Sequence, residues 1–236
     1  MIKELEEELK KIENSKDKQD IKRAKEIDLE LCLLDNLRYE KKYYKQGFNL
    51  IAGVDEVGRG PLVGPVVAAA VILPKNYKLD GLTDSKKLSE KKREYFFDII
   101  QKDALAIGIG IIDNNIIDDV NIYEATKLAM KDAINNLNIK PEIIITDAMK
   151  LDLENVYPII KGDLKSISIS AASIIAKVTR DHLMDELDEL YPFYDFVNNK
   201  GYPTKKHIEA IEKYGILKEH RKTYAPIKDK TFKIIN

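Results

Sequence analysis

Apolar residues have two different spacings along the chain, and the change between them falls near residue 46. The N-terminal apolar residues recur every three or four positions, which is typical of amphipathic helices. They are Ile2, Leu5, Leu9, Ile12, Ile27, Leu31, Leu34 and Leu37. The pattern predicts an N-terminal helical extension over residues 1–45, made of two helices that are broken near Asn14 and Ser15.

Residues 46–236 alternate between short apolar runs and helical stretches. The apolar runs predict strands at 50–57, 63–73, 104–112 and 142–146. Helices are predicted at 89–100, 122–137, 171–190 and 204–215, with Ser89, Asn121 and Thr204 as N-caps. The three early strands have tight connections, which favours antiparallel pairing, and the later strand alternates with helices, which favours parallel addition. We therefore expect one α/β domain with a mixed sheet flanked by helices.

Charge and cysteine content narrow the class of protein. The chain has 39 basic and 40 acidic residues, so its net charge of −1 gives no global cationic field, and any phosphate binding must come from local patches. The single cysteine, Cys32, excludes an internal disulfide framework and a cysteine-based zinc site. The longest apolar run, 66–73, is too short to span a bilayer, and the N-terminus lacks the apolar stretch of a signal peptide. These features favour a cytoplasmic protein.

The N-terminal extension and the histidines carry weaker signals. Residues 1–45 contain 12 basic and 12 acidic residues, which is typical of a solvated arm, although a contact with a duplex or a partner protein stays open. His182, His207 and His220 show no metal-ligand spacing, so we expect them in surface or capping roles.

Four acids stand at or just after predicted apolar segments. Asp55 and Glu56 end the first strand, Asp147 directly follows residues 143–146, and Asp163 follows another apolar segment. Acids at the end of a buried strand are costly unless something compensates them. Taken singly, each is more typical of a turn or a helix cap, and neighbouring strand residues point to opposite faces.

If the four acids converge, their mutual repulsion needs compensation. Two unit charges ~4 Å apart at an effective dielectric of ~20 repel by about 4 kcal/mol. Two divalent cations offset four carboxylates in formal charge, and oxygen-only ligands favour Mg²⁺ or Mn²⁺. This composition is typical of a two-metal phosphodiesterase site.

Two further segments carry candidate substrate chemistry. Gly58 and Gly60 let the backbone around Arg59 approach a sugar closely, and Arg59 can grip a phosphate, although Gly-x-Gly is also common in tight turns. Ser85 and Lys86 precede the helix start capped by Ser89, where a phosphate could bind; the alternative is a solvated charge run. Lys177 and Asp181 are four residues apart on a predicted helix, which predicts an ordinary ion pair.

Several segments together resemble the ribonuclease HII family, in that family's order and over roughly residues 50–226. They are Asp55-Glu56-Val57-Gly58-Arg59-Gly60-Pro61, Gly64-Pro65-Val66-Val67, Leu82-Thr83-Asp84-Ser85-Lys86-Lys87-Leu88, Asp147, Lys161-Gly162-Asp163, the run 170–181, Lys200-Gly201-Tyr202-Pro203-Thr204 and His220-Arg221. The resemblance implies a ribonuclease H-like fold for residues 46–236. It also implies site roles: Asp55, Glu56, Asp147 and Asp163 as metal-binding catalytic acids, Gly58, Arg59 and Gly60 as the reader of the ribose 2′-hydroxyl, and Tyr202 packed on the sugar of the next nucleotide.

The resemblance also implies the reaction. It is hydrolysis of the phosphodiester on the 5′ side of ribonucleotides in duplex DNA or RNA/DNA hybrids, with two Mg²⁺ or Mn²⁺ ions and with 3′-hydroxyl and 5′-phosphate products. Such an enzyme would serve ribonucleotide excision repair. The alternatives are a ribonuclease HIII, a ribonuclease H-like resolvase or transposase core, and a non-catalytic duplex-binding module. A helical arm argues against the first, the 2′-hydroxyl reader against the second, and four intact acids against the third.

Overall fold

A mixed sheet of five strands forms the centre of the molecule in a computed structural model that describes residues 1–83 and 85–235. The strands are β1 (Ile51–Val57), β2 (Val66–Ile72), β3 (Ala106–Ile112), β4 (Ile143–Asp147) and β5 (Val156–Ile159). Their order is β3-β2-β1-β4-β5; β1, β2 and β3 pair antiparallel, and β4 and β5 add parallel to β1. The predicted mixed sheet is confirmed. Asp84, in one of the motifs quoted above, lies outside the described residues.

Ten helices accompany the sheet in the described residues. They are α1 (Ile2–Ile12), α2 (Lys18–Leu34), α3 (Arg38–Tyr44), α4 (Glu90–Asp103), α5 (Asn114–Val120), α6 (Ile122–Asn135), α7 (Gly162–Lys165), α8 (Ile167–Leu190), α9 (Phe196–Asn199) and α10 (Lys205–Tyr214). Two short parallel strands, β6 (Ile216–Leu217) and β7 (Ile234–Ile235), form a separate pair near the C-terminus. None of the described helices is both long and apolar enough to cross a membrane.

The helix starts follow from local capping chemistry. Ser89, Asn121 and Thr204 accept hydrogen bonds from backbone amides at the starts of α4, α6 and α10, as predicted. Helix α8 begins four residues before the predicted start at 171, because Ser166 caps it by accepting from the amide of Ile169 at 3.2 Å. The earlier start places Ser168 against Gly53 of β1 and Ile169 against Ile51, Ile143 and Ile145.

The sheet lies between α6 on one face and α8 with α4 on the other. Glycines allow the close contacts. A Cβ atom on Gly110 of β3 would lie 2.0 Å from the carbonyl oxygen of Ala129 in α6, and one on Gly53 of β1 would lie 2.1 Å from the carbonyl carbon of Ser168 in α8. Helix α8 therefore packs directly on the strand that ends in Asp55 and Glu56.

The N-terminal region contains three helices, so the prediction of two was wrong. Leu5, Ile27 and Leu31 are buried between α1 and α2, but Leu34 is exposed. The chain then turns at 35–37 and forms α3, whose Tyr43 is buried in a cluster with Ile51 of β1 and residues of β4. Apolar spacing described the pairing of α1 with α2 but not the turn that brings α3 onto the sheet. The boundary at residue 45 stays a prediction.

Candidate active site

The four predicted acids lie where β1 and β4 end and where α7 begins, at one end of the strands. Asp55 and Glu56 lie near the end of β1, and Asp147 ends β4. Because β1 and β4 are parallel, with Val54 opposite Thr146, Asp55 and Asp147 follow at the same level. The amide of Gly162 donates to Oδ1 of Asp147 at 2.8 Å, which holds the start of α7, and with it Asp163, beside β4. These four residues are called the acid edge below.

Electrostatic repulsion is concentrated at the acid edge. Burial, followed by the negative charges of Glu56 and Asp147, raises the pKa of Asp55 well above its ordinary value. Burial also raises the pKa of Glu56, while Arg59 opposes that shift and Asp147 adds to it. The Oε2 atom of Glu56 is buried with no hydrogen-bond partner among residues 1–83 and 85–235. The negative charges of Asp55 and Glu56 are therefore incompletely compensated.

These observations fit a divalent cation. All four side chains offer carboxylate oxygens, which Mg²⁺ and Mn²⁺ prefer. A bound cation would lower the raised pKa values and would give the buried Glu56 oxygen a partner. In the described residues, however, no group of three or more His, Cys, Asp or Glu side chains is already arranged to hold a metal ion. Repulsion between like charges explains why such carboxylates spread when nothing offsets them.

Two serines lie behind Asp55, and sequence reasoning gave them different roles. The Ser173 hydroxyl on α8 opposes the rise in the pKa of Asp55, and the amide of Glu56 donates to Asp55 Oδ1 at 2.8 Å. The Ser173 hydroxyl also lies 2.9 Å from that of Ser85, which is buried. Ser85, predicted as a phosphate ligand, thus joins the network behind Asp55, whereas Lys86 is exposed. Ser173 was quoted only as part of a motif.

Two loops meet beside the acid edge. Residues 58–60 follow β1, and Arg59 Nη1 lies 3.3 Å from Glu56 Oε1. A Cβ atom on Gly60 would lie 3.3 Å from Cε1 of Tyr202, so the loop and the tyrosine ring are in contact. Tyr202 is 44% exposed and available to a ligand. The structure therefore brings together the Gly-Arg-Gly segment and the tyrosine that the sequence places 142 residues beyond Gly60.

Two fully buried arginines hold these loops from behind. Arg221 donates to the carbonyl oxygens of Gly58, Arg59 and Gly64 at distances of 2.6 to 3.0 Å. Arg180 donates to the carbonyls of three other loop residues, namely Val63, Pro65 and Lys200. Sequence reasoning missed both roles, because a buried arginine that binds carbonyls and no acidic side chain leaves no charge pattern along the chain.

Glycine is required at position 58. Its φ angle is +91°, and a Cβ atom there would lie 2.3 Å from Nε of Arg180. Gly58 is therefore both a left-handed backbone position and the point where the arginine passes under the loop.

The prediction for two of the three histidines was wrong. His207 and His220 are fully buried, and their Nε2 atoms lie 3.2 Å apart. His182 does lie at the surface, where it contacts Glu94 at 3.0 Å. Charged neighbours in the sequence concealed the burial of His207 and His220.

The predicted ion pair between Lys177 and Asp181 is confirmed at 2.5 Å.

Comparison with known proteins supplies the family. The family model of ribonuclease HII matches residues 52–226. The chain is 58% identical over 215 residues to a ribonuclease HII of Bacillus cytotoxicus, which covers 91% of this chain and 81% of that protein. It is 57% identical over 206 residues to a ribonuclease HII of Listeria innocua, which covers 87% of this chain and 79% of that protein. The crystal structure of ribonuclease H2 from Pyrococcus horikoshii OT3 matches with a TM-score of 0.66 at 28% identity, over 76% of this chain and 96% of that chain.

The mixed sheet, its flanking helices and the acids at one edge define a nuclease of the ribonuclease H class, and such enzymes are hydrolases that act on nucleic acid. Since the family model covers most of the chain and both relatives exceed half identity, the chain belongs to the ribonuclease HII family.

Proposed function

We propose that this enzyme hydrolyses the phosphodiester on the 5′ side of ribonucleotides embedded in duplex DNA or in RNA/DNA hybrids, leaving 3′-hydroxyl and 5′-phosphate ends. The observation that carries the proposal is the contact between Gly60 and Tyr202 directly beside the acid edge. A nuclease that ignores the sugar needs the acids alone. Here a glycine-bounded backbone segment and an exposed aromatic ring lie where they would meet adjacent sugars.

Asp55, Glu56, Asp147 and Asp163 are the residues that would hold two divalent ions, Mg²⁺ or Mn²⁺. When bound, such ions supply an activated water and offset the charge on the departing oxygen. The protein contributes the arrangement of the ligands: the amide of Glu56 donates to Asp55, and the amide of Gly162 donates to Asp147. No side chain is required as a nucleophile.

Substrate positioning falls to the two loops and to α4. The backbone of Gly58 and Gly60 can approach a 2′-hydroxyl, which is both a donor and an acceptor. Arg59 is half-exposed between the acid edge and solvent, where its guanidinium can bind a phosphate. Lys86 is exposed close to the start of α4 and is proposed to contact another phosphate, with Ser85 beside it. Tyr202 would pack on the sugar of the following nucleotide. Residues 58–60 and Tyr202 are together called the ribonucleotide reader, or simply the reader, below.

Cleavage of three end-labelled duplexes tests the proposal. They carry one ribonucleotide, a run of several, or none, and each is incubated with Mg²⁺ or with Mn²⁺. We expect nicks in the first two duplexes only, and an upstream product that a polymerase can extend because it ends in a 3′-hydroxyl. Equal nicking of the all-DNA duplex would indicate a sugar-independent nuclease instead. Binding without nicking under either metal would indicate a duplex-binding module.

A further inference from the structure

His220 and Arg221 are adjacent and fully buried, and each contacts a different part of the reader's surroundings. Arg221 binds three carbonyls of the segment 58–64, and two of these belong to the reader. His220 lies next to His207, whose Nδ1 is 2.9 Å from the carbonyl oxygen of Tyr202. Two consecutive residues therefore reach the two halves of the reader by separate routes.

The histidine route has only one consistent arrangement of protons in the neutral state. The amide of Leu217 donates to Nδ1 of His220 at 2.9 Å, so the His220 proton must be on Nε2. The carbonyl of Tyr202 can only accept, so His207 carries its proton on Nδ1. The remaining contact, 3.2 Å between the two Nε2 atoms, is then a hydrogen bond from His220 to His207. The chain of donors runs from Leu217 to Tyr202 without a gap.

Burial fixes this neutral arrangement. Removal from water lowers the pKa of His207, and burial together with the proximity of His207 lowers the pKa of His220 to about 3. The rings of Tyr194 and Phe196 enclose the pair at centroid distances of 5.3 to 6.4 Å. Near neutral pH both rings therefore act as rigid hydrogen-bonding spacers.

The backbone joins the two routes at residues 61–64. The amide of Leu62 donates to the carbonyl of Gly201, and the amide of Arg221 donates to the carbonyl of Leu62, both at 2.8 Å. Val63 also pairs with His220 in an isolated bridge. Gly201 lies against Val63, where a Cβ atom would come within 2.8 Å of the valine side chain. The loop before Tyr202 and the loop after β1 are thus held in a single register.

We propose that His220 and Arg221 are positioning residues that fix the distance between residues 58–60 and Tyr202, and that they thereby set the selectivity of the enzyme for a single ribonucleotide followed by deoxyribose. The inference rests on the proposed function of the reader. The effect should fall on selectivity, because Arg221 binds the carbonyls of Gly58, Arg59 and Gly64 and His220 binds His207 and pairs with Val63. Disturbing either residue should impair recognition of one ribonucleotide more than cleavage of a ribonucleotide run.

Two substitutions of His220 separate the relay from simple packing. In His220→Gln the side-chain amide can occupy the Nε2 position and still donate to His207, whereas in His220→Asn it can occupy only the Nδ1 position and accept from Leu217. Arg221→Lys keeps the positive charge but loses the planar fork that binds several carbonyls at once. The surface variant His182→Asn is the matched control.

The measurement is the ratio of kcat/KM on the one-ribonucleotide duplex to kcat/KM on the ribonucleotide run. Displacement of a positioned group by about 1 Å can cost ~100-fold in rate. We expect His220→Asn and Arg221→Lys to lower the ratio by ~10 to 100-fold, and His220→Gln and His182→Asn to leave it near the wild-type value. An unchanged ratio in a folded Asn or Lys variant, or equal losses on both substrates that track a lower melting temperature, would overturn the proposal. A ratio in His220→Gln as low as that in His220→Asn would also overturn it.

A readout that does not depend on nicking uses ¹⁵N chemical shifts of the histidine rings. The relay requires the Nε2–H tautomer for His220 and the Nδ1–H tautomer for His207 in the wild-type protein at neutral pH. Any other pair of tautomers would overturn the relay even if the enzyme is selective. If instead the tautomers are as expected but the wild type nicks all three duplexes equally, the proposed function fails while the relay stands.

Discussion

The acid edge and the reader lie side by side, yet they are stabilised in opposite ways. At the acid edge, like charges raise the pKa of Asp55, and one oxygen of Glu56 is buried with no partner in the described residues. Behind the reader, all three guanidinium nitrogens of Arg221 donate to loop carbonyls or to Tyr224, and each nitrogen of Arg180 also has a carbonyl acceptor.

The difference shows which part is formed before the ligands arrive. A satisfied polar network is rigid because breaking one bond leaves a buried group unpaired. An under-compensated cluster of carboxylates has the opposite property: bound cations stabilise it, and without them the carboxylates move apart. Under the proposed function, the loops that carry residues 58–60 and Tyr202 are preorganised for a ribonucleotide, whereas the acid edge would take its working arrangement only when the proposed cations bind.

The largest expected effect separates activity from stability at the acid edge. Asp55→Asn, Glu56→Gln, Asp147→Asn and Asp163→Asn should each reduce nicking by about 10²- to 10³-fold, as loss of a group that stabilises transition-state charge does in other enzymes. The same substitutions relieve repulsion, so the melting temperature in EDTA should hold or rise. Nicking rates at limiting Mg²⁺ and melting curves in EDTA check both halves. A variant that nicks at the wild-type rate would remove that residue from the site.

A pH series sharpens this prediction. Because the folded-state pKa of Asp55 is raised, the folded protein binds its proton more tightly than the unfolded chain does. Without metal, the free energy of unfolding contributed by Asp55 should therefore fall as the pH rises from the ordinary aspartate value toward the raised one. Asp55→Asn should flatten that part of the curve. A curve that is unchanged by the substitution would contradict the assigned repulsion.

The second prediction concerns what holds the α7 side of the acid edge. Glu40 of α3 is fully buried and accepts from the hydroxyl of Ser166 at 2.5 Å and the amide of Ser168 at 3.1 Å, and Asp28 of α2 pairs with Lys165 of α7. Deletion of residues 1–45 removes these contacts together with the buried Tyr43. We expect it to lower the free energy of unfolding by at least about 3 kcal/mol.

A shorter deletion is the control for that truncation. Removal of residues 1–16 takes away α1 but leaves the contacts of Asp28, Glu40 and Tyr43 in place. The shorter form loses the packing of α1 on Ile27 and Leu31, so in urea denaturation we expect it to be less stable than the wild type but more stable than the protein without residues 1–45. Equal stability of the two truncated proteins would show that α3 contributes nothing to the catalytic domain.

Tyr202 supplies a smaller effect that is confined to the reader. Tyr202→Ala should lose about 1 to 3 kcal/mol of transition-state stabilisation on a one-ribonucleotide duplex, the usual size of an aromatic contact with nucleic acid. Tyr202→Phe keeps the ring and should retain most activity. Rates on one-ribonucleotide and multi-ribonucleotide duplexes, measured with melting curves, test this. A drop of equal size on both substrates would assign Tyr202 to loop packing.

The smallest expected effect is the acid sensitivity of the buried histidines. The pKa of His220 is about 3 in the folded state, below its ordinary value near 6.5, so its contribution to stability is complete above pH 6.5 and is lost as the pH falls toward 3. Between pH 6.5 and 5.5 the loss should be about 1 kcal/mol. His220→Gln should remove this slope in urea denaturation at the two pH values, and an identical slope in both proteins would contradict it.

The sequence was informative where structure depends on near neighbours. Ser89, Asn121 and Thr204 cap the helices they were expected to cap, because an N-cap bonds to amides two or three residues away. The end of β1 and the end of β4 could be matched because parallel strands bring their carboxyl ends together. These local rules suffice to place three of the acids.

Long-range polar bonds could not be predicted. Nothing near His207 or His220 in the sequence signals that the two rings meet, and Arg221 binds carbonyls about 160 positions earlier in the chain. The third N-terminal helix was missed for a similar reason: Glu40 and Tyr43 are buried by strands and by α8, not by apolar neighbours on α3. Burial of this kind is a property of the assembled fold.

The glycines that face helices give the molecule its narrowest tolerance for sequence change. At Gly53, Gly108 and Gly110 even one methyl group would overlap backbone atoms at 2.0 to 2.1 Å, and backbone cannot rotate away as a side chain can. In a library of all single substitutions selected for nuclease function, these positions should therefore be as depleted of variants as the acids themselves, although they lie in the interior and touch no substrate. Mutational intolerance in this enzyme would then mark two separate things, chemistry at the edge of the sheet and clearance between its layers.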